Sequence, residues 1–441
     1  MDSYRRIVAL KIQSAQDRAS AIVEEKRRVE NKVYASPGSQ HVLTFVGDAA
    51  TKVQGLLEAE KAVANTDPLD ASELETRIQR TTKLIPVLHM LLGFVEGSDV
   101  HRSPGQLIQP LRRYVRSIIP ASEIVVSSKA ELNYSIQDIA EPLRKLFSDT
   151  PLQSSCGLLP DRLFVVNIPA VESGQILIHG VLAHELGHAL YKKHALAGKL
   201  LPNIKVKEDL IKNLVKVMSG ARQQQQGPPP ELRLREWVTE QVASRITAWV
   251  MELSSDAIGI RLFGPALFFA AVHLMTAFKH IDQGSTTHPA PRLRAKLMMR
   301  MLKQLYPVDK LHENLQALLR DWDEVSAVPI VARSMFDQLA IESIDDKALD
   351  LIFQASATAV SEAQSYTALR FDRDAAELAP LFVNHIPPGE TGHYGRGVPV
   401  ELASIINAGW HVYLCDFEAL EISEMKTAWE EARRDSKRGK N

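Results

Sequence analysis

Cysteine is almost missing from this 441-residue chain, in which Cys156 and Cys415 are the two present. Two thiols so far apart in sequence build neither a disulfide framework nor a paired metal motif, so the expected setting is a reducing one, the cytoplasm. A surplus of either charge is lacking too. Fifty-two basic residues against 53 acidic ones leave a net charge of -1, which excludes a bulk positive field for nucleic acid and an acidic bias towards basic partners. The opening stretch MDSYRRIVALKIQSAQDRAS carries charges throughout and has neither an apolar core nor a small-residue cleavage site, so export by a signal peptide is not expected. Long apolar runs are absent as well. Leu262 to Phe278 is uncharged over 17 residues but contains Gly264, Pro265 and His273, and it falls short of the roughly 20 that a bilayer needs. It reads as a buried helix, with no membrane span expected. No internal repeat is visible.

What the chain does have is apolar residues enough for a core, at 45%, and a length that at roughly 150 residues per domain predicts two or three domains. From Tyr4 to Val33 apolar residues recur at Val8, Ile12, Ala15, Ala19, Ile22, Val29 and Val33, broken by Lys26, which predicts an amphipathic helix packed on its own chain and ended by SPG at 36–38. Ser72 and Glu75 have capping-box spacing and open a second helix reaching LIPVLHMLLGFV at 84–95, with Pro86 as a kink or break. SEIVVSSKAELNYSI at 122–136 and RLFVVNIP at 162–169 read as strands. A helix is expected from Ser173 to about His194, then a solvent loop, QQQQGPPP, at 223–230, and a long helix over 231–263. Beyond 305 the chain reads as helical again, with a Gly/Pro-rich loop at 385–399 and a charged tail.

Histidine is unevenly spread. Seven of the 14 (His179, His184, His188, His194, His273, His280 and His288) fall between residues 179 and 288. Within that stretch His184-Glu185-Leu186-Gly187-His188 puts two imidazoles at i and i+4 on one helix face, spaced to bind one zinc ion, with Glu185 beside them. A catalytic zinc needs three protein ligands and an open position. Two residues compete for the third. His194 follows His188 by six, but Tyr191 stands where a glycine break would be needed, so on a continuing helix it points elsewhere. Glu252 is favoured: with Asp256 it forms an i, i+4 carboxylate pair flanked by apolar Trp249, Val250, Leu253, Ile258 and Ile260, one carboxylate for the metal and the other to orient a ligand histidine. His179 and His273 read as core residues.

HELGH, followed 64 residues after its last histidine by ELSSDAIG and then by THPAPRLRAKL at 287–297, resembles the HtpX-like (M48-type) gluzincin zinc metallopeptidases. The resemblance covers roughly residues 120–300. It implies His184, His188 and Glu252 as zinc ligands, Glu185 as general base, Asp256 as support for a ligand histidine, and His288 with Arg294 near the substrate oxyanion, Arg292 being the alternative to Arg294. A looser similarity exists to the ImmA-like antirepressor peptidases, whose spacing is shorter and which lack the His-Pro element.

The resulting expectation is a mainly α (α+β) protein: an N-terminal helical region at 1–105, a gluzincin-like zinc peptidase domain at 106–305 with a small sheet beside its active-site helix, and a mostly helical region at 306–441. The flanking helices control access or bind a partner protein. The expected activity is zinc-dependent endopeptidase cleavage of protein or peptide substrates, one zinc per chain, with Phe164, Val165, Val166 and Asn167 forming the edge strand on which a substrate lies extended. The rival readings are a regulatory scaffold whose zinc domain is silent and a peptidase held latent by its own loops.

Overall fold

The computed structural model of the chain describes residues 2–66, 71–103, 105–131, 133–172, 175–222, 231–277, 284–306, 313–327, 330, 332, 334–361, 364–384 and 400–415. Ser173, the expected loops at 223–230 and 385–399, and the charged tail lie outside them. The chain divides into two compact units, Met1–Gly174 and Gln175–Asn441, rather than into three regions with boundaries at 105 and 305. The cause is the company the strands keep: Val125, Leu163 and Val165 share one apolar core with the N-terminal helices.

In the first unit, α1 (Asp2–Glu30), α2 (Pro37–Thr66), α3 (Ala71–Thr82), α4 (Leu84–Glu96) and α5 (Gly105–Ile118) precede β1 (Ser122–Lys129) and β2 (Ser135–Asp138). Helix α6 (Ala140–Phe147) then leads to β3 (Arg162–Pro169). The stripe of α1 is covered by its own chain, with Ile12, Ala15 and Ile22 buried in a cluster that includes Phe45 and Val46 of α2 and Leu88 and Leu92 of α4. Val33, expected to prolong the stripe, lies past the helix end and is exposed. Pro86 does not kink a continuous helix. The break falls at Lys83, between α3 and α4, next to Thr82, whose carbonyl would meet the proline ring four residues on and find no N–H there.

Strand β3 is the middle of a three-stranded sheet of order β1-β3-β2, parallel to β1 and antiparallel to β2. Phe164, Val165, Val166 and Asn167 pair with Ile124, Val125, Val126 and Ser127 on one side, and with Asp138, Gln137, Ile136 and Ser135 on the other. This corrects the expectation of a substrate-binding edge. Both rows of backbone hydrogen-bonding groups are already in ladders, so a peptide cannot be added to this strand. The unbroken apolar run was itself the sign of an internal strand: Leu163, Phe164, Val165 and Val166 are all buried, so both faces are covered.

The second unit is helical in its described residues. A 3-10 turn (Ile176–Val181) runs into α7 (Leu182–Lys193). There follow α8 (Leu196–Leu200), α9 (Glu208–Arg222), α10 (Glu231–Phe263), α11 (Pro265–Ala277), α12 (Pro291–Leu305), α13 (Glu313–Ala327), α14 (Met335–Ser343), α15 (Asp346–Ala359), α16 (Ala368–Glu377), α17 (Ala379–Val383) and α18 (Leu402–Cys415). Helix α10 is the axis of this unit and packs against α7, α9, α11, α12, α14 and α15. Its second half is sealed, with Trp249, Val250, Leu253, Ala257, Ile258, Ile260 and Phe263 all buried. Gly264 ends it in the left-handed region at φ +60°, where glycine is favoured, its N–H bonded to the Ile260 carbonyl at 2.8 Å. Helix α11 is the buried helix expected of the uncharged run, and among the described residues no helix is long and apolar enough to cross a membrane. The fold is thus mainly helical with a small sheet, the sheet in the first unit and the HELGH helix in the second.

Candidate metal centre

The helix carrying HELGH is shorter than the sequence predicts. Backbone from Ile176 to Val181 is 3-10, and α7 begins at Leu182, so His184 is its third residue and Glu185 lies in its first turn, where a negative charge is favoured by the helix dipole. His184 and His188 project towards α10. Two glycines set how near the helices come: a Cβ on Gly187 would overlap the Ser255 carbonyl oxygen and stand 2.7 Å from the Ser255 Cα, and a Cβ on Gly259 would stand 3.0 Å from the Ala183 carbonyl. In the buried second half of α10, Ser255 and Asp256 follow Glu252 by three and four residues, a stripe of polar side chains on one face among apolar ones. Buried polar groups are costly unless partnered, so such a stripe marks a site.

The partners converge on one point. His184 Nε2 lies 3.1 Å from His188 Nε2 and 3.2 Å from Glu252 Oε2, and His188 Nε2 lies 3.4 Å from Glu252 Oε1. These three residues can hold a metal ion, with one donor atom of each within 4.8 Å of the others. Ligands about 2.1 Å from a tetrahedral ion stand about 3.4 Å apart, so the spacing suits a metal ion bound by all three. Among the described residues Glu252 Oε2 is buried with no hydrogen bond of acceptable geometry. A carboxylate whose two oxygens face His184 Nε2 and His188 Nε2 fits a cation between them.

Each imidazole is held from behind. His184 Nδ1 donates to Asp256 Oδ1 at 2.8 Å, and His188 Nδ1 meets Ser255 Oγ at 2.9 Å. Asp256 is fully buried and in turn accepts two hydrogen bonds from Arg294, Nε to Oδ2 at 2.8 Å and Nη2 to Oδ1 at 2.7 Å. Burial alone would raise the Asp256 carboxyl, but Arg294 and His184 more than offset it and hold it well below the usual carboxylate range. Burial likewise opposes the charge on Glu252, and the two histidines with Arg294 still lower its pKa.

Arg294, expected near the substrate oxyanion, lies against Asp256 and His184. Its Nη2 is 3.3 Å from His184 Nδ1, on the side of the ring away from the point where the Nε2 atoms meet, and its Nε and Nη2 are committed to Asp256. Its contacts are with Asp256 and His184, and Glu185 is close enough to act on its charge. Arg292, the alternative, is buried at the start of α12. His288 stands at the rim, 57% exposed, its Nε2 3.6 Å from Glu252 Oε2. Its Nδ1 meets Thr287 Oγ1 at 2.9 Å and its backbone N–H donates to Ser285 Oγ at 2.9 Å, while Trp249 Nε1 donates to the Ser285 carbonyl at 2.9 Å. Trp249 thus ties the loop to α10 one turn before Glu252.

Glu185 is half-buried, near enough to Arg294 to help raise its pKa. His194 caps the C-terminal end of α7, outside the converging group. His179 is fully buried, as expected, and burial pushes its pKa down to about 3. His273, also expected in the core, is exposed and tilts against Trp410 at the end of an apolar helix. Reading from sequence missed Ser255 and Trp249 as parts of the site. Their spacing from Glu252, three residues on either side, was the available signal.

Comparison of the chain with protein-family models, with curated proteins and with solved structures returns no match in any of the three.

Proposed function

We propose that the second unit is a zinc-dependent endopeptidase, with His184, His188 and Glu252 holding one zinc and Glu185 acting as general base. One observation carries the reading: three buried ligand atoms converge on a point whose next helical neighbour, Glu185, is a half-buried carboxylate. Two imidazoles and one carboxylate are the donor set of catalytic zinc, whereas structural zinc takes four protein ligands. The likeness of HELGH, ELSSD and the His-Pro element to the HtpX-like gluzincins supports the same conclusion.

Zinc in this site supplies a Lewis acid for the peptide carbonyl and brings the pKa of water towards neutrality. Glu185 takes the proton of the attacking water and delivers it to the leaving amine. His288, whose Nδ1 lies 2.9 Å from Thr287 Oγ1, stands with Nε2 near Glu252 and would offer an N–H to the oxygen on which charge develops. Asp256 and Arg294 hold His184 in register throughout.

Purified protein is expected to carry about one zinc per chain, lost in a His184→Ala/His188→Ala double variant. Glu185→Gln is expected to keep the zinc and to lose cleavage of a peptide library by about 10²- to 10⁴-fold. Full zinc retention by the double variant would sink the metal site. Identical cleavage profiles for wild type and Glu185→Gln would leave a metal-holding scaffold in place of an enzyme.

A further inference from the structure

The two ligand histidines are supported by different chemistry. His184 is backed by a carboxylate that an arginine holds in place, whereas His188 is backed by a neutral hydroxyl, that of Ser255, fully buried on α10. A serine hydroxyl owns a single proton. The Ser255 hydroxyl also lies 2.9 Å from the Met251 carbonyl, one turn back along its own helix, and a carbonyl can only accept. With the proton given to Met251, the Ser255 oxygen is left as an acceptor facing His188 Nδ1 at 2.9 Å. His188 must then carry its proton on Nδ1, which leaves Nε2 with a bare lone pair aimed at His184 Nε2 and Glu252.

We propose that Ser255 is a positioning residue of the zinc site, fixing through the chain Nδ1–H to Oγ, O–H to the Met251 carbonyl, both the tautomer and the ring orientation that His188 needs as a ligand. This role rests on the zinc reading given above. Its position accounts for the close helix approach as well, because the glycine at 187 brings α7 against the backbone of this same serine. Ser254, the neighbouring residue, supplies the contrast: it is buried on α10 like Ser255, but among the described residues its hydroxyl has no hydrogen-bond partner.

The test uses the full-length chain stripped of metal and titrated with zinc against a chromophoric chelator. Ser255→Ala is expected to weaken zinc binding by about 10- to 100-fold, the usual effect of losing a ligand's outer hydrogen-bond partner, and Ser254→Ala to leave it unchanged. Zinc affinity within twofold of wild type in a folded Ser255→Ala protein overturns the role. Should that variant not fold, ¹⁵N shifts of the His188 ring in metal-free wild type decide. Protonated Nδ1 is the expected state and protonated Nε2 contradicts it. A wild-type chain that takes up no zinc defeats the zinc reading instead, and the ring shifts still report on the Ser255 contact separately.

Discussion

His184 and His188 lie four residues apart in one helix, yet they hold protons differently. Burial lowers the pKa of both. For His184 this is outweighed by Asp256 at Nδ1 and Glu252 at Nε2, which bring it up to about 9, while His188, facing a neutral hydroxyl, is pushed down to about 3 by burial and by the charge on His184. Without metal, these carboxylates favour the imidazolium form of His184, whose Nε2 faces the spot a metal would take. On the proposed zinc reading, the metal displaces the proton on that nitrogen. Calorimetric titration at pH 7.5 in two buffers of different ionisation heat is expected to show about one proton released per zinc, and no release would contradict this protonation state. The same shift affects stability. A folded pKa above the unfolded value of about 6.5 stabilises the metal-free protein fully below that pH and ceases to do so as pH rises through about 9. The excess thermal stability of metal-free wild type over Asp256→Asn should shrink across that window, whereas a constant difference would show that Asp256 acts through Arg294 alone.

Among the elements, the contact of α7 with α10 is the one on which the site depends. Glycine inside a helix normally costs about 1 kcal/mol relative to alanine, so its presence at position 187 needs a reason, and the reason is the Ser255 backbone against which any Cβ would press. Overpacking of this kind costs typically 1–3 kcal/mol, roughly, and outweighs the gain in helix propensity. Gly187→Ala should lower Tm and weaken zinc binding. By contrast Gly55→Ala, at an exposed position of α2 with open space around it, should leave Tm unchanged or raise it. A Gly187→Ala protein that melts at or above wild type and binds zinc normally would remove the close approach from the account. Strand β3 shows the other side of element-level reading. Its existence and bounds were legible from RLFVVNIP, and the unbroken apolar run was the sign of a covered strand, but which strands flank it was not, because the residues of one strand carry no record of its partners.

At the scale of the whole molecule, every ligand and every supporting residue of the candidate centre comes from the second unit. Ligand binding stabilises what it binds, by about 2.7 kcal/mol at a concentration 100 times Kd. Hydrogen exchange of the full chain with and without zinc should thus show its largest protection in α7, in the second half of α10 and around 285–293. Protection of α1, α2 and α4 equal to that of α7 would contradict a site assembled from residues after 175. The first compact unit runs to Gly174, past the boundary expected at 105, because strands β1 and β3 bury Val125, Leu163 and Val165 among the N-terminal helices, a long-range choice that no composition shift announces.

Much of the chemistry was determined by the sequence alone, because helical periodicity is local: it places His184 with His188 and Glu252 with Asp256 on common faces, and it marks α10 from 231 to 263 by the absence of breakers. Tertiary structure decided the rest. Which face meets which, that Arg294 is spent on Asp256, that Ser255 stands behind His188, and that Phe164 to Asn167 lie inside a sheet all depend on contacts between segments far apart in the chain. Those contacts are settled by packing and by the pairing of buried polar groups, and neither is written in the spacing of residues along one element.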